Sequence, residues 1–349
     1  MTYKELFSEG ENALETAGVP DAGLDARLLL EQVCGTCRND LLAHGDRMVE
    51  AGQQEAYREL IAKRSERIPL QHLTGIQNFM GLDFMVNADV LIPRQDTEIL
   101  AEEVLKNLHD GMRVLDMCTG SGCILISLLH YSNNCEGVGA DISEEALTVA
   151  RRNAGRLLGG KAAGMGSGIG GCGDSGESGL AASTEFADWT EGLQGMTEGL
   201  QGMKDSLQDM KDGLQGRTEG LQGMKDGFGG ISFVRSDLFE QVAGRFDIIV
   251  SNPPYIRSDV IPGLMPEVRE HEPRQALDGG TDGLLFYRRI LEESRGHLFG
   301  GGMLFFEIGY DQGEEVSRLM EQAGFLEINV VKDYGGLDRV VYGTLRHGM

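Results

Sequence analysis

The feature that most constrains the fold is an alternation of short hydrophobic segments with helical segments, which begins near residue 91 and continues almost to the end of the chain. The periodicity predicts strands and helices in turn. The predicted strands cover residues 112–116, 138–141, 231–234, 246–251, 303–308, 328–331 and 339–344, the last two as a hairpin. Helices are predicted at about 97–108, with Asp96 or Thr97 as its cap, and at about 123–130, 143–158, 282–298 and 312–323. Such an order is typical of an α/β fold in which helices cover both faces of a doubly wound, here seven-stranded, sheet.

The first 68 residues predict a separate helical domain. Thr2 and Glu5 have the spacing of a capping box at the start of one amphipathic helix, and Asp21 can cap a second. Residues 69–90 contain an alternating segment with glycines at turn positions. They are therefore predicted to form a β-hairpin that links the helical domain to the α/β domain of residues 91–349.

Residues 159–230 interrupt the α/β domain with a segment of low sequence complexity, called the insert below. It holds 21 of the 51 glycines, and residues 190–224 are five copies of a unit close to Thr-Glu-Gly-Leu-Gln-Gly-Met. Leu and Met recur at coiled-coil spacing, but eight glycines in these copies oppose a helix by about 1 kcal/mol each. The insert is predicted to be a disordered linker, with a marginal helix formed with a partner as the alternative.

Composition limits the partners and the location. The chain has 31 basic and 55 acidic side chains, a net charge of −24, and without the insert (5 basic, 11 acidic) −18 remains. This charge repels phosphates, so direct nucleic-acid binding is not expected.

No apolar run of about 18 residues and no apolar leader occurs, so no membrane contact and a cytoplasmic location are expected. Cys34 and Cys37 form a Cys-x-x-C pair without further ligands, so neither a metal site nor a disulfide is predicted.

A glycine-containing loop follows the first strand of the α/β domain. The sequence Cys-Thr-Gly-Ser-Gly at residues 118–122 ends a hydrophobic segment and opens a helix, which is where exposed backbone amides bind an anionic group. Asp141 ends the next strand, where an acidic side chain can hold both ribose hydroxyls. The pattern favours a nucleoside other than NAD, because only two glycines of the dinucleotide motif are present. The alternative is a tight strand-to-helix turn with a capping Asp.

A second motif, Asn-Pro-Pro-Tyr at residues 252–255, follows the hydrophobic segment 246–251. Two prolines stop the strand and fix the direction of the chain. The side-chain oxygen of Asn252 and the carbonyl of Pro253 then form a pair of acceptors beside the ring of Tyr255. A planar NH₂ group can donate to both acceptors while it stacks on the ring. The alternative is a proline-rich turn with a packed tyrosine.

With these motifs, the chain resembles the peptide chain release factor glutamine N5-methyltransferases, which are class I S-adenosylmethionine enzymes. The resemblance covers nearly the whole chain outside the insert. It extends to segments 69–75, 92–98, 272–280, 282–284 and 332–335 and to Arg339. It implies a class I methyltransferase sheet, and a helical N-terminal domain that engages the release factor.

The resemblance also implies a binding site for S-adenosylmethionine. The implied cofactor-binding residues are Cys118, Thr119, Gly120, Ser121, Gly122, Asp141, Ile142, Asp237, Leu238 and Asn252. The loop would hold the methionine end, Asp141 the ribose and Ile142 the adenine. Asp237 and Leu238 match an acidic and apolar pair near the adenine edge.

For the substrate, the resemblance implies the glutamine of the Gly-Gly-Gln motif of release factors. Asn252 and Pro253 would hold its amide, with Pro254 and Tyr255 shaping the slot, and Asn252, Pro253 and Tyr255 are the implied catalytic residues. The chemistry rests on positioning and electrostatics without a metal or covalent intermediate, and no proton acceptor is assigned. The alternatives are methylation of a ribosomal-protein glutamine or an adenine amino group, and a non-catalytic nucleoside-binding module.

The sequence departs from the family pattern at three places. Cys118 and Gln95 stand where the family commonly has Gly and Pro, respectively. The insert is the third and largest departure. The first two leave the shape of the glycine loop and the rigidity of the segment around Gln95 open.

Overall fold

A computed structural model describes residues 1–159 and 230–346. The predictions for the insert, residues 159–230, therefore lie outside the described residues except at its two ends. Among the described residues, no helix is both long and apolar enough to cross a membrane.

The described elements follow the predicted order, with short helices at Leu70–Thr74 and Pro266–His271 that were not predicted. In the N-terminal region they are α1 (Tyr3–Thr16), α2 (Ala22–Cys34), α3 (Arg38–Ala43), α4 (Ala51–Ser65), α5 (Leu70–Thr74), β1 (Ile76–Phe79) and β2 (Leu82–Met85). The following elements, up to the insert, are α6 (Gln95–Asn107), β3 (Arg113–Met117), α7 (Cys123–Tyr131), β4 (Glu136–Asp141) and α8 (Glu144–Leu158). After the insert come β5 (Ile231–Arg235), β6 (Phe246–Ser251), α9 (Pro266–His271), α10 (Leu285–His297), β7 (Leu298–Glu307), α11 (Gly313–Gln322), β8 (Phe325–Lys332) and β9 (Asp338–Leu345).

Seven strands form one mixed sheet in the order β5-β4-β3-β6-β7-β9-β8. Strands β3 to β7 run parallel, and β9 pairs antiparallel with both β7 and β8. The predicted doubly wound, seven-stranded α/β sheet is therefore confirmed. The chain order reverses between β3 and β6, and ligands of such sheets bind at the carboxyl ends of the strands at this switch point.

The sheet is buried on both faces. One hydrophobic cluster joins it to α10 and α11 through side chains such as Tyr287 and Val316. The other joins it to α6, α7 and the β1–β2 hairpin through side chains such as Leu100 and Phe84. Burial on both faces explains why β3 and β6 have hydrophobic runs rather than an alternating pattern.

The N-terminal helices have a hydrophobic core of their own around the fully buried Tyr57. The capping box of Thr2 and Glu5 is confirmed at the start of α1. Asp21 precedes α2, but its side chain makes no capping hydrogen bond, so that cap prediction is wrong. The cap predicted at Asp96 or Thr97 is also wrong, because α6 begins at Gln95 and both side chains bond elsewhere in the fold.

A buried cluster of charges joins the N-terminal helices to the segment that follows β6. Arg64 lies 2.7 Å from Asp25 in α2 and 3.1 Å from Glu267 in α9. Arg67 also binds Glu267, at 2.6 Å. We call these four residues the ionic junction. At least three of its side chains are almost fully buried. Separating the two regions, or removing one partner, would leave an unpaired buried charge, which is strongly unfavourable. The ionic junction therefore holds the two regions in contact.

Candidate active site

A cavity lies at the carboxyl ends of β3, β4 and β6. Its wall includes ten of the predicted site residues, namely Cys118, Thr119, Gly120, Ser121, Asp141, Ile142, Asp237, Leu238, Asn252 and Pro254. Gly122, Pro253 and Tyr255 lie next to these residues in the chain but do not line the cavity. The sheet order thus brings both sequence motifs to one site.

A buried carboxyl group at the end of β3, Asp116, holds the glycine loop, and the sequence motifs did not point to it. Asp116 at the end of β3 accepts a hydrogen bond of 2.6 Å from the Thr119 hydroxyl. Burial raises the pKa of Asp116 to about 7. Gly120 donates its backbone N–H to Asp141 at 2.9 Å. The loop is therefore fixed to the ends of two neighbouring strands.

The two loop glycines have different structural roles. Gly120 has φ +54°, and a Cβ atom built on it would meet no atom within 4 Å, so the backbone is open to the cavity there. Gly122 has φ +79°, and a Cβ atom there would lie 2.8 Å from Ile126 and 3.2 Å from Ala150. Gly122 therefore allows α7 and α8 to pack closely, whereas Gly120 leaves room for a ligand.

Cys118 adopts a left-handed conformation with φ +63°. Glycine reaches this region without steric cost, whereas other residues do so with strain. This explains in physical terms why the resembled family favours Gly at this position. The side chain is half-buried at the cavity wall, and desolvation raises the pKa of its thiol.

Asp141 lies at the cavity with its two carboxylate oxygens already in use as acceptors of backbone N–H groups. Oδ2 accepts from Gly120 and Oδ1 from Ser143, each at 2.9 Å. Each oxygen has a second lone pair, so the carboxylate can still accept from a ligand hydroxyl. Burial raises the pKa of Asp141, and the hydrogen bonds from Ser143 and Gly120 oppose this rise. The neighbouring Ile142 is 52 % exposed and gives the cavity an apolar rim.

Asp237 and Leu238 lie across the cavity in the segment after β5. Asp237 forms an ion pair of 2.9 Å with Arg289 of α10, a partner that the sequence did not indicate. Leu238 is buried and has φ +48°. The pair thus offers one carboxylate, held in place by an arginine, beside an apolar wall.

The Asn-Pro-Pro-Tyr motif leaves the end of β6 at the same edge. Asn252 is half-buried, and its Nδ2 atom lies 3.4 Å from the Thr97 hydroxyl. The Tyr255 hydroxyl donates to Glu307 at 3.1 Å, so it points into the protein. A Cβ atom on Gly279 would lie 2.7 Å from the Tyr255 Cα, so only glycine allows this segment to pack against the motif.

Thr97, which lines the cavity, and Glu307, which accepts from the Tyr255 hydroxyl, were not singled out from the sequence. Thr97 belongs to the first turn of α6 and Glu307 ends β7, so both are far from the motif in sequence. The available signal was the acidic residue after the hydrophobic run of β7, at the carboxyl end of a strand. Within residues 1–159 and 230–346, no group of three or more His, Cys, Asp or Glu side chains could hold a metal ion.

Comparisons with known proteins show which family the chain resembles in sequence. Residues 5–75 match the family model described as the PrmC N-terminal domain, and residues 108–158 match a methyltransferase domain. The release factor glutamine methyltransferase of Caulobacter vibrioides is 34% identical over 346 residues, covering 99% of this chain and 96% of the relative. The protein of the same name from Agrobacterium fabrum is 34% identical, covering 94% of this chain and 92% of the relative.

A solved structure of a release factor-specific protein-(glutamine-N5) methyltransferase from Alicyclobacillus acidocaldarius is 25% identical to the chain. The match covers 75% of this chain and 99% of the other, with a TM-score of 0.33.

Proposed function

Since this chain belongs to the family of release factor glutamine methyltransferases, we propose that it methylates the side-chain amide nitrogen, N5, of the glutamine in the Gly-Gly-Gln motif of peptide chain release factors. The observation that carries the proposal is the meeting of the Asn-Pro-Pro-Tyr motif with the glycine loop at one cavity. A release factor acts on the ribosome, so we also propose a cytoplasmic location.

The residues at the cavity fit S-adenosylmethionine. Gly120 leaves open space where a side chain would stand, and Asp141 offers a carboxylate to hydroxyl groups. Ile142 offers an exposed apolar surface for a planar base. When bound, this cofactor supplies an electrophilic methyl group. In this proposal the loop residues 118–122 hold its methionine end, and Asp237 with Leu238 lies at the edge of its adenine.

The substrate amide is held by Asn252 and Pro253 in this proposal. An amide nitrogen is a weak nucleophile because its lone pair is delocalised into the carbonyl. Accepting both N–H bonds concentrates electron density on the nitrogen and fixes its direction. The protein thus contributes orientation and preorganised acceptors. Pro254 at the cavity wall and Tyr255 behind it shape the slot.

The helical domain, residues 1–68, is the region that we propose to engage the release factor, and the match to the N-terminal family model over residues 5–75 supports this. An adenine amino group is a weaker candidate substrate because the net charge of −24 repels nucleic acid. Methylation of a ribosomal-protein glutamine would use the same chemistry. Only the identity of the protein substrate distinguishes it from the main proposal.

The test is mass spectrometry of release factor after incubation with the enzyme and S-adenosylmethionine. We expect the mass of one added methyl group on the Gly-Gly-Gln peptide. Asn252→Ala removes one acceptor and is expected to lower turnover by about 10²–10³-fold. Asn252→Asp keeps an acceptor but adds a charge, so its activity is expected to lie between those of Ala and wild type. An unmodified peptide, or equal turnover by Asn252→Ala and wild type, contradicts the proposal.

A further inference from the structure

Two buried side-chain amides outside the sequence motifs bind the backbone of the site. Asn153 lies in α8 and is fully buried, and Gln312 directly precedes α11 and is 7 % exposed. A carboxamide has an oxygen that accepts hydrogen bonds and a nitrogen that donates two. Each of these two amides uses its oxygen and its nitrogen on backbone partners.

Asn153 connects the glycine loop to the β1–β2 hairpin. Its Nδ2 atom donates to the carbonyl of Ser121 in the loop and to the carbonyl of Met85 in β2, each at 3.0 Å. Its Oδ1 atom accepts from the Met85 N–H at 2.8 Å. Two carbonyls and one N–H group allow only one orientation of the amide. The Ser121 carbonyl is therefore held toward α8, and rotating this peptide of the loop would break a buried hydrogen bond.

The hairpin side of this contact also leads to the cavity. The chain continues from Met85 into a segment that packs on α8 through Val86 and Val90. Residues 89–91 of this segment line the same cavity as the glycine loop. Asn153 therefore fixes two parts of the cavity wall relative to each other.

Gln312 makes the corresponding contacts with the Asn-Pro-Pro-Tyr motif. Its Nε2 atom donates to the carbonyls of Tyr255 and Gly283, each at 3.2 Å. Its Oε1 atom accepts from the Gly309 N–H at 2.9 Å. A Cβ atom on Gly283 would lie 2.5 Å from the Tyr255 carbonyl oxygen and 2.7 Å from Nε2 of Gln312, so this contact requires glycine. The amide therefore fixes the end of the motif to the segment that packs against it.

We propose that Asn153 and Gln312 are positioning residues, each for one half of the site. Asn153 sets the glycine loop for the cofactor, and Gln312 sets the Asn-Pro-Pro-Tyr motif for the substrate amide. Neither side chain lines the cavity, so both act through the backbone that they hold. This inference rests on the proposed function, because that function assigns one half to the cofactor and the other to the substrate.

The test replaces each amide by the acid of the same shape, in Asn153→Asp and Gln312→Glu. The acid keeps at most one of the two donated hydrogen bonds, so a carboxyl oxygen then faces a backbone carbonyl. Calorimetry with S-adenosylhomocysteine, which is the cofactor without its transferable methyl group, measures the cofactor half. Turnover of release factor at saturating S-adenosylmethionine measures the substrate half.

The two variants are expected to fail in different ways. Asn153→Asp is expected to bind S-adenosylhomocysteine at least about tenfold more weakly, with turnover within about threefold of wild type once the cofactor is saturating. Gln312→Glu is expected to bind S-adenosylhomocysteine within about twofold of wild type, with turnover at least about tenfold lower even at saturating cofactor. General damage to the fold would lower the calorimetric stoichiometry and would not divide the two properties between the two variants.

Three further variants control the experiment. Asn107→Asp makes the same chemical change at an amide that donates to the Glu103 carbonyl at 2.9 Å. Asn107 ends α6, about 15 Å along the helix from Thr97 at the cavity, so both properties are expected to stay unchanged. Asn153→Ala and Gln312→Ala remove the amides without adding a charge, so they test the inference if an acid variant fails to fold.

The outcomes separate this inference from the proposed function. Unchanged affinity for S-adenosylhomocysteine in folded Asn153 variants, or wild-type turnover in folded Gln312 variants, overturns the inference. Equal losses of both properties in both sets of variants also overturn it, because the site would then not be divided between the two amides. A wild-type protein that binds S-adenosylhomocysteine but methylates no release factor contradicts the proposed function, while the affinity of the Asn153 variants still tests the role of that residue.

Discussion

Cys118 combines a left-handed backbone, φ +63°, with a half-buried side chain at the cavity wall. Cys118→Ala loses the thiol and keeps the strain, whereas Cys118→Gly loses the thiol and relieves a strain of about 1–2 kcal/mol. We therefore expect the Gly variant to be more stable than the Ala variant, the reverse of the order found at ordinary positions. Chemical denaturation of both variants measures this difference. A more stable Ala variant would show that the loop relaxes around residue 118.

Asp141 is expected to act on both the loop and the ligand. Asp141→Ala removes the proposed acceptor for ribose hydroxyls and releases the N–H groups of Gly120 and Ser143. Charged hydrogen bonds contribute about 1.5–3 kcal/mol, so we expect S-adenosylmethionine to bind about 10- to 100-fold more weakly. Calorimetry measures the affinity, with Asp141→Asn as a control that keeps one acceptor and the size of the side chain. Unchanged affinity in Asp141→Ala would limit the residue to holding the loop.

At the scale of single elements, the sequence predicted strands better than helix ends. The bounds of β6, Phe246–Ser251, agree with the prediction because two prolines shortly after a hydrophobic run mark the end of a buried strand. The start of α6 was placed too late because Asp96 and Thr97 are good capping residues that instead bond to other parts of the fold. Helix α9 was missed because six residues are too few to show a hydrophobic period.

Gln95 is the first residue of α6, and proline is favoured at this position because its backbone N–H is not needed there. The preceding Arg94 has φ −98° and ψ 149°, the extended conformation that a following proline requires. Gln95 is exposed, so its side chain is replaceable. We expect Gln95→Pro to raise the free energy of unfolding by about 0.4–1 kcal/mol, as measured by denaturation. A destabilised variant would contradict the assigned helix start.

At the scale of the whole molecule, the sequence predicted which motifs meet at the cavity but not their supporting partners. Asn252 and Asp141 could be predicted because Asn252 follows β6 and Asp141 ends β4, and parallel strands end at one edge of the sheet. The contacts of Asn252 with Thr97 and of Tyr255 with Glu307 depend on which strands and helices become neighbours. That pairing is a property of the sheet order, which no local pattern encodes.

The insert joins α8 to β5 at the edge of the sheet opposite the cavity. Gly137, near the start of β4, donates its backbone N–H to the Gly230 carbonyl, and Asp141 at the other end of β4 lies roughly 13 Å from Gly137 at the usual rise per residue. Replacing residues 160–229 by about six Gly and Ser residues is therefore expected to leave turnover within a few-fold, since loop-closure entropy depends weakly on length. A steady-state assay with release factor checks this. A loss of more than about tenfold in a folded variant would give the insert a part in function.

The ionic junction fixes the distance between the N-terminal helices and the cavity. Arg64 and Arg67 hold Glu267, which lies only twelve residues after Tyr255 in the segment that leaves the cavity. In the proposed roles, residues 1–68 dock the release factor and the cavity methylates it. The distance between these two sites is then fixed before any substrate binds. With those roles, the enzyme would accept only a glutamine whose distance from the docked surface matches that separation. Selection by distance would then add to the recognition of a single amide when the enzyme chooses among the many glutamines of a cell.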